Sequence, residues 1–108
     1  MGRDLFFTGD SAADLEDLYQ RAVEDYRVPQ AEQFLRQMAG VARNVTRYPE
    51  FSLVPPELRA LGLSDYRQVV LKPYRVIYGV QDNRVIVYVV ADWRRDLQSL
   101  LSRRMFAP

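Results

Sequence analysis

Three short runs rich in Val, Ile and Tyr follow one another between residues 66 and 91. Breaks at Lys72-Pro73 and at residues 81–83 separate the runs, and residues of these types favour turns and strand ends. The last run, residues 84–91, is almost continuously apolar. Such a run is typical of a central strand that is covered on both faces. The pattern therefore predicts three adjacent strands joined by tight turns, which need helices to cover them.

Two amphipathic helices are predicted upstream of these strands. The first begins after the capping residues Asp10-Ser11, and the second begins at Pro29, which suits a first helical turn. Only Arg27 and Val28 connect them, so an αα-hairpin is expected. The two apolar stripes follow helical spacing and consist of Leu15, Leu18, Tyr19, Ala22, Val23 and Tyr26, then Phe34, Leu35, Met38, Val41, Ala42 and Val45.

The remaining elements complete a β-α-α-β-β-β-α order. Residues 5–8 read as a first strand, residues 57–61 as one helical turn before Gly62, and Asp92 as the cap of a last helix. We predict a single α+β domain over residues 1–108, with the αα-hairpin packed on one face of a mainly antiparallel four-stranded sheet. The second face must be completed by the C-terminal helix, by a partner or by a ligand.

The composition excludes several kinds of chemistry. The 108 residues include neither Cys nor His. Disulfides, thiolate metal sites and cysteine nucleophiles are therefore excluded, and the usual general base near neutral pH is missing. We predict no metal and no cofactor. The chain has no run of 18 apolar residues and no signal-peptide pattern, so we expect a cytoplasmic protein that does not contact a membrane.

The charges are divided unevenly along the chain. Residues 1–58 carry a net charge of −4, whereas residues 59–108 carry +5. One explanation is that the basic half faces an anionic partner, such as nucleic acid or an acidic protein segment. The other is that the two halves pack against each other. The sequence leaves both open.

Four segments resemble the RelE/ParE superfamily of bacterial type II toxins. They are DLEDLY (residues 14–19), VPPELRALG (54–62), PYRVIY (73–78) and ADWRRDLQSLL (91–101). The likeness extends from about residue 5 to residue 105, although Trp93 stands where a small residue is common. The resemblance implies a β-α-α-β-β-β core and a toxin that is neutralised by a cognate antitoxin. It also implies that operator DNA is bound only through the antitoxin.

The superfamily contains two mechanisms, and the sequence is similar to both. RelE-like members cleave messenger RNA on the ribosome, and Arg67, Arg75 and Arg95 match their catalytic arginines in charge. Val69 and Leu101, however, stand where a basic residue and a Tyr are expected. Without a general acid or base the rate typically falls by about 10²–10⁴-fold. The resemblance therefore favours the ParE-like branch, which causes growth arrest by inhibiting DNA gyrase through protein–protein contact and is not an enzyme.

Two alternatives stay open beside the gyrase inhibitor. One is a ribosome-dependent mRNA endoribonuclease that uses the three matching arginines. The other is a nucleic-acid-binding or scaffold domain without toxicity.

Two sets of residues are predicted to bind partners. The target-binding set is Arg75, Arg94 and Arg95, and the antitoxin-binding set is the apolar stripe Leu97, Leu100 and Leu101 of the last helix. The alternative for Arg75 is a structural ion pair with Asp92 or Asp96.

Other charged residues are predicted to have no function. The carboxylates of Asp14, Glu16 and Asp17 are expected on a solvated helix face near the positive end of the helix dipole. Arg103 and Arg104 are expected to be stabilised by the dipole at the end of the last helix.

Overall fold

The computed structural model describes residues 3–26, 28–49, 52–63, 65–71, 73–92 and 95–105. Its element order confirms the predicted one and adds a short helix where one helical turn was expected. The elements are β1 (Asp4–Phe7), α1 (Gly9–Tyr26), α2 (Val28–Arg47), α3 (Pro56–Arg59), β2 (Tyr66–Leu71), β3 (Tyr74–Gln81), β4 (Arg84–Asp92) and α4 (Leu97–Met105).

The four strands form one sheet in the order β1-β4-β3-β2. The two turn-connected pairs, β2–β3 and β3–β4, are antiparallel, whereas β1 lies parallel to β4. The sheet is therefore mainly antiparallel, as predicted. Asp82 has a φ of 55° in the β3–β4 turn, a backbone conformation that Asp tolerates better than most residues. Both β1 and β2 are edge strands.

Each face of the sheet has its own apolar core. The αα-hairpin covers one face, where the buried residues are Val41, Val45, Val76, Tyr78, Val85, Val87 and Val90. Helices α3 and α4 cover the other face, with Leu58, Ile77, Val89, Ala91, Leu97, Leu100 and Leu101. Of the three candidates for covering this second face, which were the C-terminal helix, a partner and a ligand, the C-terminal helix is the one that covers it. In β3 the alternation of side chains sends Tyr78 to the hairpin core and Ile77 to the α4 core.

Two helices are capped by a different residue from the one predicted, and α2 begins at Val28, one residue before the predicted Pro29. The backbone N–H of Ser11 donates to Thr8 Oγ1 at 3.1 Å, so Thr8 caps α1 and the helix begins at Gly9. At α4 the backbone N–H of Ser99 donates to Asp96 Oδ1 at 3.2 Å. The prediction that Asp92 caps this helix is wrong, because Asp92 still belongs to β4. The hydrogen bonds from Ser99 lower the pKa of the Asp96 carboxyl.

Gly62 ends the short helix α3. The backbone N–H of Leu63 donates to the carbonyl of Leu58 at 2.9 Å, and that of Gly62 to the carbonyl of Arg59 at 3.0 Å. These two bonds define a Schellman motif, which requires a left-handed residue, and Gly62 has a φ of 76°. Leu58 and Leu63 both pack in the α4 core. The motif therefore fixes α3, and with it Glu57, over the sheet.

Candidate functional site

Arg75 is held by its neighbours on the α4 face of the sheet. Its guanidinium forms a two-pronged ion pair with Glu57 of α3, at 2.7 Å from Nη1 to Oε2 and 2.8 Å from Nη2 to Oε1. Nε and Nη2 also donate to Gln68 Oε1 of β2, at 2.9 and 2.6 Å. The predicted structural pair with Asp92 or Asp96 is wrong, because Glu57 takes that place.

The ion pair is shielded and affects the acidity of its carboxylate. Only 11% of the Arg75 side chain and 25% of the Glu57 side chain are exposed. The hydrogen bonds from Arg75 lower the pKa of Glu57, against a smaller opposing effect of burial. A paired, shielded guanidinium has little capacity left to bind a second anion. Arg75 therefore connects α3 to the sheet.

Arg67 lies on the opposite face of the sheet from Arg75. In the β2–β3 register Arg67 stands beside Tyr78, whereas Arg75 stands beside Val70. Because side chains alternate along a strand, Arg67 lies on the hairpin face, where its Nη1 donates to the Ser52 carbonyl at 2.8 Å. The sheet thus separates two of the three arginines that match the RNA-cleaving toxins.

Arg95 is exposed just after the end of β4. It lines a shallow polar cleft together with Asp17 and Arg21 of α1 and Asp92 of β4. Among the described residues it forms no ion pair. Arg94, its predicted companion in target binding, lies outside the described residues.

The three leucines predicted to bind an antitoxin are buried within this chain. Leu97 and Leu100 are 3% exposed, and Leu101 is 0% exposed. They pack on the sheet with Leu58 and Ile77. A partner can contact these leucines only if α4 moves away from the sheet.

The sequence patterns did not predict the ion pair that Asp14 forms with Arg104. Arg104 Nη2 lies 2.6 Å from Asp14 Oδ1, and only 7% of the Asp14 side chain and 16% of the Arg104 side chain are exposed. The hydrogen bond to Asp14 raises the pKa of Arg104 above its ordinary value. The expectation of a solvated face holds for Glu16 and Asp17, which are exposed, and is wrong for Asp14.

The Asp14–Arg104 pair completes the edge of β4 beyond the end of β1. The backbone N–H of Val90 donates to Asp14 Oδ2 at 3.0 Å, and Arg104 Nη1 donates to the carbonyl of Tyr88 at 3.3 Å. Strand β1 ends too early to pair with these backbone groups of β4, so the side chains of Asp14 and Arg104 form hydrogen bonds with them instead. One signal in the sequence pointed to this role, because Asp14 falls at helical spacing between Ser11 and Leu18 on the buried side of α1.

A second missed feature is an apolar groove at the β1 edge. Phe7, Leu15, Tyr19 and Leu35 line it, and Phe7 and Leu35 are 44% and 42% exposed. Leu15 also packs against the hairpin core, whereas Phe7 and Leu35 leave apolar surface open to solvent. Exposed apolar surface of this kind is typical of protein-binding sites.

Two further features of the described residues bear on chemistry and location. No group of three or more His, Cys, Asp or Glu residues is placed there so that it could hold a metal ion. None of the helices in that part of the chain is long and apolar enough to cross a membrane.

The fold, with an αα-hairpin on one face of a four-stranded sheet and a C-terminal helix on the other, places the chain in a class of small α+β proteins. A chain of the chromosomal ParDE TA system from P. aeruginosa has a similar structure, with a TM-score of 0.68 over 83% of this chain and 95% of that chain. The two chains share 15% sequence identity. No curated protein matches this chain in sequence.

A family model identifies the chain more closely. The model of the ParE toxin of the type II toxin-antitoxin system, parDE, matches residues 5–97. The chain therefore belongs to the ParE toxin family, and the resemblance to the ParE-like branch is confirmed.

Proposed function

We propose that this ParE-family protein arrests growth by binding DNA gyrase and that a cognate antitoxin neutralises it. The observation that carries the proposal is the separation of the arginines on which RNA cleavage would depend. Arg67 and Arg75 lie on opposite faces of the sheet, and Glu57 already neutralises Arg75. A phosphoryl transition state requires several preorganised cations around one phosphate. Contact with a protein target requires no such convergence.

The surface that we propose for gyrase centres on Arg95, with its neighbour Arg94. Arg95 is an exposed cation beside the polar cleft at the end of β4. Exposed charges at the rim of an interface increase the association rate and select the partner more than they add affinity. Arg75 contributes to this surface only by stabilising the fold, because its guanidinium is bound to Glu57 and Gln68.

The surface that we propose for the antitoxin is the groove at the β1 edge. Its exposed apolar side chains suit an amphipathic helix or an added strand, which are common modes of peptide recognition. Leu97, Leu100 and Leu101 join this surface only if the antitoxin lifts α4 off the sheet. Contact of the antitoxin with operator DNA remains part of the same proposal.

A gyrase assay tests the proposal directly. The purified protein is expected to inhibit DNA supercoiling by gyrase, and Arg95→Gln is expected to weaken inhibition about five-fold, as the loss of one exposed charge contact worth about 1 kcal/mol. Arg59→Gln is the matched control, because Arg59 is also exposed and lies on α3. Equal inhibition by the two variants would show that Arg95 is not part of the surface that binds gyrase.

Inducible expression distinguishes the alternatives. Growth arrest with impaired gyrase and intact messenger RNA supports the proposal. Cuts at codon positions in messenger RNA, with gyrase unaffected, would instead establish the endoribonuclease, and unaffected growth would establish a domain without toxicity.

A further inference from the structure

The solvent face of α2 carries a straight row of arginines. Arg36, Arg43 and Arg47 are separated by seven and four residues, with Gly40 between the first two. At 3.6 residues per turn these positions fall on one side of the helix, and the row extends over about 16 Å. All three arginines are exposed. We call this row the α2 arginine stripe.

The stripe lies opposite the side of α2 that is buried. The buried residues of the helix are Ala31, Phe34, Val41 and Val45, which pack toward the α1 helix and the sheet. None of the three arginines is needed to cover that core. Arg47 lies in the last turn of α2, where the helix dipole favours a cation, whereas Arg36 and Arg43 are exposed outside that turn.

No carboxylate neutralises the stripe among the described residues. Glu32 is the last acidic residue of α2, and residues 33–47 contain none. Nη2 of Arg43 lies 3.7 Å from the point that a Cβ on Gly40 would occupy, so this guanidinium lies along the helix. The backbone N–H of Arg3 donates to the Thr46 carbonyl at 3.1 Å, which places the chain just before β1 beside the last turn of α2.

The residues around the stripe indicate which anion it suits. Gln33, Gln37 and Asn44 flank it and are exposed. No large apolar side chain lies on it to form the dry centre of a protein interface. No aromatic residue occurs between Arg36 and Arg47, and the exposed Tyr48 that follows Arg47 supplies a single ring. Single-stranded nucleic acid is usually bound by stacking of successive bases on several aromatic rings. Arg, Gln and Asn are the side chains that contact the phosphates of duplex DNA.

We propose that the α2 arginine stripe binds the phosphate backbone of duplex DNA without reading its sequence, so that recognition of the operator sequence is left to the antitoxin. One strand of a duplex places about five phosphates along 16 Å of its axis, which is enough for each guanidinium to meet one. The acidic residues of α1, including Glu16 and Asp17, lie on the neighbouring helix and orient the duplex toward α2. The proposal does not depend on gyrase being the target.

Fluorescence anisotropy with a labelled 20-base-pair duplex of arbitrary sequence tests this binding. The full chain is titrated at salt concentrations from 50 to 200 mM. Three phosphate contacts predict a slope of about −3 in a plot of log K against log salt concentration. In the Arg43→Gln/Arg47→Gln variant the slope is expected to fall in magnitude by about two and the affinity about ten-fold.

A matched pair of variants makes the test specific. Arg59→Gln/Arg103→Gln removes the same charge from other exposed arginines and is expected to bind the duplex like the wild type. Arg43→Lys/Arg47→Lys keeps the charge and is expected to retain the salt slope. Circular dichroism verifies that every variant is folded.

Three results would overturn the proposal. The first is no binding at 50 mM salt, and the second is an equal loss in both glutamine variants, which would reflect net charge alone. The third is tighter binding of a single-stranded RNA of the same length, or of polyglutamate, than of the duplex.

Discussion

Arg75 illustrates how far one side chain can be understood before its partners are known. Its position on a strand among apolar neighbours indicates that its charge needs a partner. The sequence offered three interpretations: a catalytic cation, a target contact or a structural pair. The partner proves to be Glu57, 18 residues earlier in α3. Helix α3 lies in the irregular connection between α2 and β2, where the sequence has no clear hydrophobic periodicity. The spacing of residues therefore could not predict the pair.

The Glu57–Arg75 pair predicts a pH dependence of stability. The lowered pKa of Glu57 means that the pair contributes fully above about pH 4.5, the ordinary pKa, and loses its contribution as the pH falls toward the lower value in the folded state. We expect Glu57→Gln to reduce the free energy of unfolding at pH 7 by about 1.5–3 kcal/mol. Urea denaturation between pH 3 and pH 7 measures the difference.

Glu16→Gln is the control for this prediction, because Glu16 is exposed and has no ion pair among the described residues. The difference between wild type and Glu57→Gln should shrink below pH 4.5. A difference of the same size at pH 3 and pH 7 would contradict the pair as its cause.

Helix α4 is the element whose role changed most between sequence and structure. Its leucine stripe was assigned to a partner, but it covers the second face of the sheet. Its last turn also reaches α1, because Arg104 pairs with Asp14 and contacts the carbonyl of Tyr88. One ion pair thus connects α1, β4 and α4.

Removing Asp14 is therefore expected to be costly. Asp14→Ala leaves the shielded Arg104 guanidinium and the Val90 N–H without their partner, for which we expect a loss of about 3–5 kcal/mol in the free energy of unfolding. The double variant Asp14→Leu/Arg104→Met removes both charges and should lose less. Urea denaturation of Asp14→Leu, Arg104→Met and the double variant, arranged as a double-mutant cycle, measures the coupling.

Asp17→Ala serves as the control on the same helix, since Asp17 is exposed. We expect it to change stability by less than about 0.5 kcal/mol. If Asp14→Ala costs no more than Asp17→Ala, the pair does not hold α1 and α4 together.

The whole molecule shows how the uneven charge of the chain is used. Both ion pairs found among the described residues join a carboxylate from the acidic half, Asp14 or Glu57, to an arginine from the basic half. The two halves therefore do pack together through opposite charges. The exposed arginines of α2, which belong to the acidic half, are not part of this pairing. The exposed apolar side chains at the β1 edge form a separate surface.

Binding of the antitoxin is expected to depend on that apolar surface. Leu35→Glu places a charge in the groove, and we expect it to weaken antitoxin affinity by at least about ten-fold, because the charge must be desolvated on binding. Since Leu35 is 42% exposed, stability should change by less than about 0.5 kcal/mol. Calorimetry with the product of the neighbouring gene measures the affinity.

Leu53→Glu is the matched control, because Leu53 is 71% exposed and forms a bridge with Gln68 at the β2 edge. We expect this variant to bind the antitoxin normally. Equal effects of both substitutions, or none, would exclude the groove as the antitoxin site.

The sequence by itself determined the element order, the αα-hairpin, the mainly antiparallel sheet and the ParE-like resemblance. These features depend on local periodicity, turn residues and short motifs, all of which are formed by residues close together in the sequence. Only the tertiary structure decided which side chains meet. Glu57 with Arg75, Asp14 with Arg104 and the burial of Leu97, Leu100 and Leu101 depend on which segments cover each face of the sheet. A face of the sheet is shared by residues far apart in sequence, so no spacing along the chain contains that information.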